Sequence, residues 1–172
     1  ALDDVRAFNF FTAEPMHVFA NEMTQEVLIR EFPYAFADTR YPGVPEIKLN
    51  VIATDAFEVG DIPILPILVW HLKMPVLGFR FGKFTYITDA NKIDSEEKEK
   101  IHGTEVLVLN TLRKEKDISH FNPEEGIKLA QELKVPTTYF THLSHQMGRH
   151  EDIERELPKG IHLAYDCLEL KL

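Results

Sequence analysis

A chain of 172 residues, 44% of them aliphatic or aromatic, is long enough to bury one core of ordinary domain size. Its net charge of −9, from 28 acidic against 19 basic residues, disfavours broad non-specific binding to nucleic acid or anionic membrane. A single cysteine, Cys167, excludes a disulfide framework and a thiolate zinc cluster, and fits a reducing, cytoplasmic setting.

No stretch approaches the roughly 20 apolar residues of a membrane span. The longest apolar run, residues 62–70, is interrupted by Pro63 and Pro66. No signal-peptide pattern is present. The chain opens Ala1-Leu2-Asp3-Asp4 without Met, as expected of a processed, cut or partial polypeptide.

Residues 1–15 are mixed and carry an aromatic cluster, Phe8, Phe10 and Phe11. Residues 16–20 read as a short buried strand. Thr24 as N-cap, with Val27 and Leu28 as an apolar face, predicts a helix over 24–31 that Pro33 ends. Residues 37–45 form a loop with turn chemistry at Tyr41-Pro42-Gly43. Ile47, Leu49 and Val51 alternate as in a strand, and residues 57–59 lead into a turn at Gly60-Asp61. Residues 62–69 read as a strand whose prolines favour a sheet edge. Residues 76–81 and 84–88 make a hairpin around Gly82-Lys83.

Further on, residues 94–101 form a charged helix capped by Asp94 or Ser95. Residues 105–110 are a buried strand. Asn122 as cap and Pro123 at the first position open a helix through Leu133. A strand over 137–141, a helix over 150–156 and a final strand over 161–170 complete the chain. Repeats, low-complexity tracts and interdomain linkers are not evident. The alternation of strand and helix in the second half points to a single α/β layered domain over 1–172.

Four polar features stand at the ends of apolar strands. They are His71, Asp89, His120 and the pair His142/His145. Each alone has an ordinary reading: a satisfied histidine, or a turn cap in the case of Asp89. His17, His102, His150 and His162 read as surface or interface histidines without a role. Together the four features say more, because strand C-termini line up along one edge of a layered sheet and ligand sites collect there. Two imidazoles and a carboxylate at such an edge suit zinc, manganese or iron. A carboxylate can bridge two ions, and two ions about 3.5–4 Å apart can clamp a displacement at phosphorus. Three ligands do not fill two metal sites, and this chain has no His-x-His-x-Asp-His run.

The order Trp70-His71, Pro75-Val76-Leu77-Gly78-Phe79, Tyr86-Ile87-Thr88-Asp89, His120, Thr141-His142-Leu143-Ser144-His145 and Leu163-Ala164-Tyr165-Asp166 resembles the metallo-β-lactamase superfamily. The nearest branch is the one holding the cyclic ribose phosphodiesterase of phosphonate breakdown and the tRNA 3′-processing endonuclease RNase Z. The resemblance covers nearly the whole chain and lies in the order and spacing of motifs, none of them decisive alone. It implies an αββα sandwich, incomplete at the N-terminus, around two divalent ions, zinc or manganese first and iron or nickel next. It implies metal ligation by His71, Asp89 as the bridging carboxylate, and His142. It implies His120 as the group that contacts the scissile phosphate and protonates the leaving oxygen, and His145 as a second phosphate contact or supporting group. The implied nucleophile is a hydroxide bridging the metals.

Two departures accompany the resemblance. The family's His-x-His-x-Asp-His signature is absent, and Ala1-Leu2-Asp3-Asp4-Val5-Arg6 resembles the segment that follows it. The chain then corresponds to the C-terminal two thirds, expected to bind metal weakly and turn over little alone. The family's Asp-Gly near the C-terminus is Asp166-Cys167 here, and Asp166 reads equally as support for a ligand histidine or as a strand-end polar residue. The resemblance implies a phosphodiesterase, and the acidic surface favours a small phosphodiester, cyclic ones included, over tRNA. The alternatives are a tRNA 3′-processing nuclease, a lactamase or thioester hydrolase, and a non-catalytic half-domain. The last would bare an apolar sheet face and predicts a homodimer or another bound partner.

Overall fold

A computed structural model describes residues 2–37, 41 and 43–171. Pro42, at the centre of the turn expected from Tyr41-Pro42-Gly43, lies outside the described residues. The described chain falls into two compact units, divided between Asp55 and Ala56.

The first unit opens with a 3-10 turn, Leu2–Val5, and helix α1, Arg6–Thr12. No apolar periodicity marks α1, because neither segment buries a residue; Phe10 and Phe11 are more than four-fifths exposed. Strand β1, Met16–Ala20, pairs in parallel with β2, Ile47–Val51. Between them lie α2, Glu22–Glu31, and the single turn α3, Pro33–Phe36. The cap of α2 is Asn21 rather than Thr24: its Oδ1 accepts the Thr24 N–H at 2.9 Å. Pro33 ends one helix and begins the next, its missing N–H harmless at a first helical position.

The second unit is built on an eight-stranded sheet. Its strands are β3, Phe57–Val59; β4, Ile62–His71; β5, Met74–Phe81; β6, Phe84–Ile87; β7, Lys92–Ile93; β8, Val106–Asn110; β9, Thr137–Thr141; and β10, Ile161–Leu163. The order is β10-β9-β8-β6-β5-β4-β3, with β7 also on β4. Strands β6, β8, β9 and β10 are mutually parallel, and β5 runs against its two neighbours β4 and β6.

Register aligns Leu109 with Ile87 on one side and Phe140 on the other, and Phe140 with Leu163. These side chains belong to one buried cluster with Ile67, Val69 and Leu107. Helices α4, Ser95–Glu99, α5, Pro123–Glu132, and α6, His150–Glu156, pack against β4, against β8 and β9, and against β10 respectively. Gly126 lets α5 come close: a Cβ there would stand 2.9 Å from the Phe140 ring and 3.0 Å from Thr111 Cγ2. Asn122 caps α5 as expected, within a capping box in which the Glu125 N–H donates to Asn122 Oδ1 at 2.8 Å.

Strand β4 is not an edge, contrary to the reading from its prolines. It lies between β5 and the pair β3 and β7. Pro66 is tolerated because β3 covers residues 62–64 and β7 covers residues 69–70, leaving a gap between. Pro66 shares its hydrogen-bonding side with Leu68, two residues on. In the gap, the Leu68 N–H donates to Glu97 Oε2 at 2.7 Å and Lys100 Nζ donates to the Pro66 carbonyl at 3.3 Å. A largely buried carboxylate thus substitutes for a strand partner. Glu97→Ala is expected to lower stability by about 1–3 kcal/mol, the cost of a donor left unsatisfied. Chemical denaturation measures it, and an unchanged midpoint would remove Glu97 from this role.

The last strand is shorter than the 161–170 expected, ending at Leu163. Its partner β9 stops at Thr141, and His142 turns away with φ +60°. Among the described residues no helix is long and apolar enough to cross a membrane.

Candidate metal centre

Strands β4, β6, β8 and β9 all point the same way, so their C-termini share one edge of the sheet. His71 is the last residue of β4. Asp89 lies two residues beyond β6, His120 in the connection from β8 to α5, and His142 directly after β9. Asp89 and His142 have φ of +54° and +60°. Positive φ is uncommon outside glycine and costs energy, although Asp and His tolerate it better than most side chains. Two such turns, at the ends of the strands β6 and β9 that flank β8, aim two polar side chains at one point.

The aim is close. His142 Nε2 stands 3.2 Å from Asp89 Oδ1, and His120 Nε2 stands 3.4 Å from the same oxygen. One ligand atom from each of the three residues lies within 4.8 Å of the others. The His120 and His142 rings stack, with centroids 4.9 Å apart and planes 14° apart. Two donors bound to one tetrahedral zinc at ordinary bond lengths are separated by roughly 3.4 Å. A carboxylate and two imidazoles at this spacing fit a divalent ion, and the donor types suit zinc, manganese or iron.

His71 and His145 stand differently. The His71 ring meets the His120 ring edge-on at 4.8 Å, outside the three-residue cluster. Asn91 holds that corner: its N–H donates to the Trp70 carbonyl at 2.8 Å and its Oδ1 accepts the Leu72 N–H at 2.9 Å. His145 is exposed and opens a 3-10 turn, His145–Met147, capped by Ser144. Asp166 lines a cleft of about 330 Å³ with Thr141, His142, Leu143, Ala164 and Tyr165. Cys167 takes φ +66°, so the turn keeps the left-handed backbone that glycine would adopt more readily.

Two supporting residues were not legible beforehand. Asp117 is largely buried behind His120. Its Oδ1 accepts from the Ser119 N–H and hydroxyl, both at 2.9 Å, and from the His120 N–H at 3.2 Å. His120 Nδ1 lies 2.9 Å from Ser119 Oγ and 3.3 Å from Asp117 Oδ1. The Ser119 hydroxyl spends its proton on Asp117, so Nδ1 is the donor to both oxygens. Nε2 is then the nitrogen presented to Asp89. A carboxylate behind a histidine in this way fixes tautomer and ring orientation. The second residue is Asn110, at the end of β8, buried and bonded to Ala90.

The Asp117 carboxyl is held well below the ordinary aspartate range. The Ser119 backbone bond is the main cause, opposed by burial and aided by the Ser119 hydroxyl, His120 and the Arg113 charge. A depressed folded-state value means that the ionised group stabilises the fold above the unfolded aspartate value of about 3.9, and that this contribution is lost as pH falls below it. Asp117→Asn is expected to flatten the fall of Tm between about pH 4 and pH 2. Thermal melts across that range test it, and an equally steep fall in the variant would contradict it.

Comparison with known proteins follows the same lines. The family described as a beta-lactamase superfamily domain matches residues 1–143. A Porphyromonas gingivalis protein named an octanoyltransferase is 31% identical over 170 residues, which is 98% of this chain and 34% of that protein. The crystal structure of a diphosphatase from the PhnP family superposes with a TM-score of 0.88 at 33% identity, covering 99% of this chain and 65% of that one. The short form of human tRNase Z superposes at 0.64 with 13% identity, covering 90% of this chain and 66% of that one, a likeness of fold alone.

Proposed function

The chain belongs to the beta-lactamase superfamily and has the metallo-β-lactamase fold, and from that premise we propose that it forms part of the active site of a divalent-metal hydrolase acting on a small phosphodiester. The observation that carries this reading is the convergence of Asp89, His120 and His142 at the ends of parallel strands. Asp89 and His142 would hold the ion, with His71 at the end of β4 on the same sheet edge as a further donor. Bound there, a divalent ion supplies charge for a phosphoryl oxygen and acidity for a water. His120 turns Nδ1 to Ser119 and Asp117, which leaves Nε2 facing the point where the three residues meet. That is the position from which it could protonate a leaving oxygen.

The chain spans 65% of the similar diphosphatase and 34% of the octanoyltransferase-named protein. We therefore propose that further metal donors come from polypeptide outside these 172 residues, and that activity belongs to the whole protein. The 33% identity to a PhnP-family diphosphatase supports phosphoryl chemistry. The net charge of −9 favours a small substrate over tRNA.

The test is hydrolysis of bis-p-nitrophenyl phosphate and cyclic phosphodiesters by the whole protein, with metal analysis alongside. Chelation is expected to abolish turnover, and Zn²⁺ or Mn²⁺ to restore it. Turnover that survives complete metal removal would sink the reading. A second reading gives His120 to the metal, and the 3.4 Å and 3.2 Å spacings about Asp89 Oδ1 favour it.

A further inference from the structure

We propose that Asn110 is the positioning residue that sets the mutual geometry of Asp89, His120 and His142, an inference that rests on the metal-site reading above. Asn110 is fully buried at the end of β8, in line with strand mates Leu107 and Leu109 that are equally buried and apolar. A carboxamide in that setting is costly unless both its ends are bonded. Both ends are bonded, and to a single residue. Asn110 Oδ1 accepts the Ala90 N–H at 2.8 Å, and Asn110 Nδ2 donates to the Ala90 carbonyl at 2.9 Å.

Ala90 follows Asp89, whose left-handed backbone would otherwise be free to relax. The Ala90 carbonyl also accepts the Phe121 N–H at 3.0 Å, which fixes the residue after His120. Asn110 pairs in register with Thr141, and the next N–H, of Thr111, donates to the Thr141 carbonyl at 2.9 Å, directly before His142. One buried side chain and its adjoining peptide thus reach the backbone beside Asp89 and His142 directly, and the backbone beside His120 through the shared Ala90 carbonyl. An aspartate could not donate to the Ala90 carbonyl, and an aliphatic residue would lack both groups. Asn110 touches no reacting atom and acts only through the backbone it holds.

The experiment is titration of the wild-type protein and its Asn110→Ala and Asn110→Leu variants with Co²⁺, read by visible absorption, whose intensity and position report coordination geometry. The leucine variant fills the volume and guards against collapse of a cavity. Leu107→Val, on the same strand and equally buried, serves as the control for a merely structural loss. We expect the Asn110 variants to bind Co²⁺ about 10- to 100-fold more weakly, the usual effect of losing a supporting partner, with an altered spectrum. Leu107→Val is expected to keep the wild-type affinity and spectrum. Either Asn110 variant, folded by circular dichroism and indistinguishable from wild type in affinity and spectrum, would overturn the proposal, as would an equal change in Leu107→Val. A wild-type protein that binds no Co²⁺ would overturn the metal-site reading itself and this inference with it. Wild-type binding with unaltered variants would overturn only the role of Asn110.

Discussion

Asp89→Asn is expected to weaken divalent-metal binding by more than about 100-fold, beyond what loss of a supporting partner costs. The exchange is chosen for its backbone. Asp89 sits at φ +54°, a region that asparagine also tolerates, so the turn survives and the charge alone is removed. The half-exposed side chain contributes little to the core. Thermal unfolding of the metal-free variant is therefore expected to match wild type, while metal content after dialysis falls to background. A variant that retains stoichiometric metal would show that the carboxylate is not a donor.

His120→Ala is expected to lower turnover of bis-p-nitrophenyl phosphate by roughly 10²–10⁴-fold, the span for loss of a general acid, with metal content intact. Two carboxylates bracket this imidazole, Asp117 Oδ1 at 3.3 Å from Nδ1 and Asp89 Oδ1 at 3.4 Å from Nε2. Each nitrogen thus has a place for a proton. The effect should shrink for substrates whose leaving group is a good anion, because protonation then matters less. Unchanged turnover would remove His120 from the mechanism. Loss of metal together with turnover would place it among the donors instead.

The strand ends were the legible part of this molecule. Apolar and β-prone runs located β6, β8 and β9, and the polar residues beyond them, Asp89, His120 and His142, come together along one edge of the sheet. Asn122 and Pro123 were equally readable, because a helix start depends on residues close in sequence. The inner placement of β4 was not readable, because Pro66 is accommodated through Glu97 and Lys100, which the fold brings from a distant helix. The roles of Asp117 and Asn110 were hidden for a similar reason. Asp117 looks like one more charge in Arg113-Lys114-Glu115-Lys116-Asp117 until Ser119 folds onto it, and Asn110 looks like a strand terminator until Ala90 is placed opposite. The extent of β10 was misjudged because a strand lasts only as long as its neighbour.

The parallel run β6-β8-β9 also bears on how the protein matures. Parallel neighbours cannot be joined by tight turns; each pair here waits for an intervening helix to cross over and seat. A one-residue slip of β8 would turn every side chain on it to the opposite face, carrying Asn110 away from Ala90 while leaving most of the secondary structure intact. Asp89, His120 and His142 therefore come together only after the long-range pairing has found its register, so the site is completed at the end of folding rather than at its beginning.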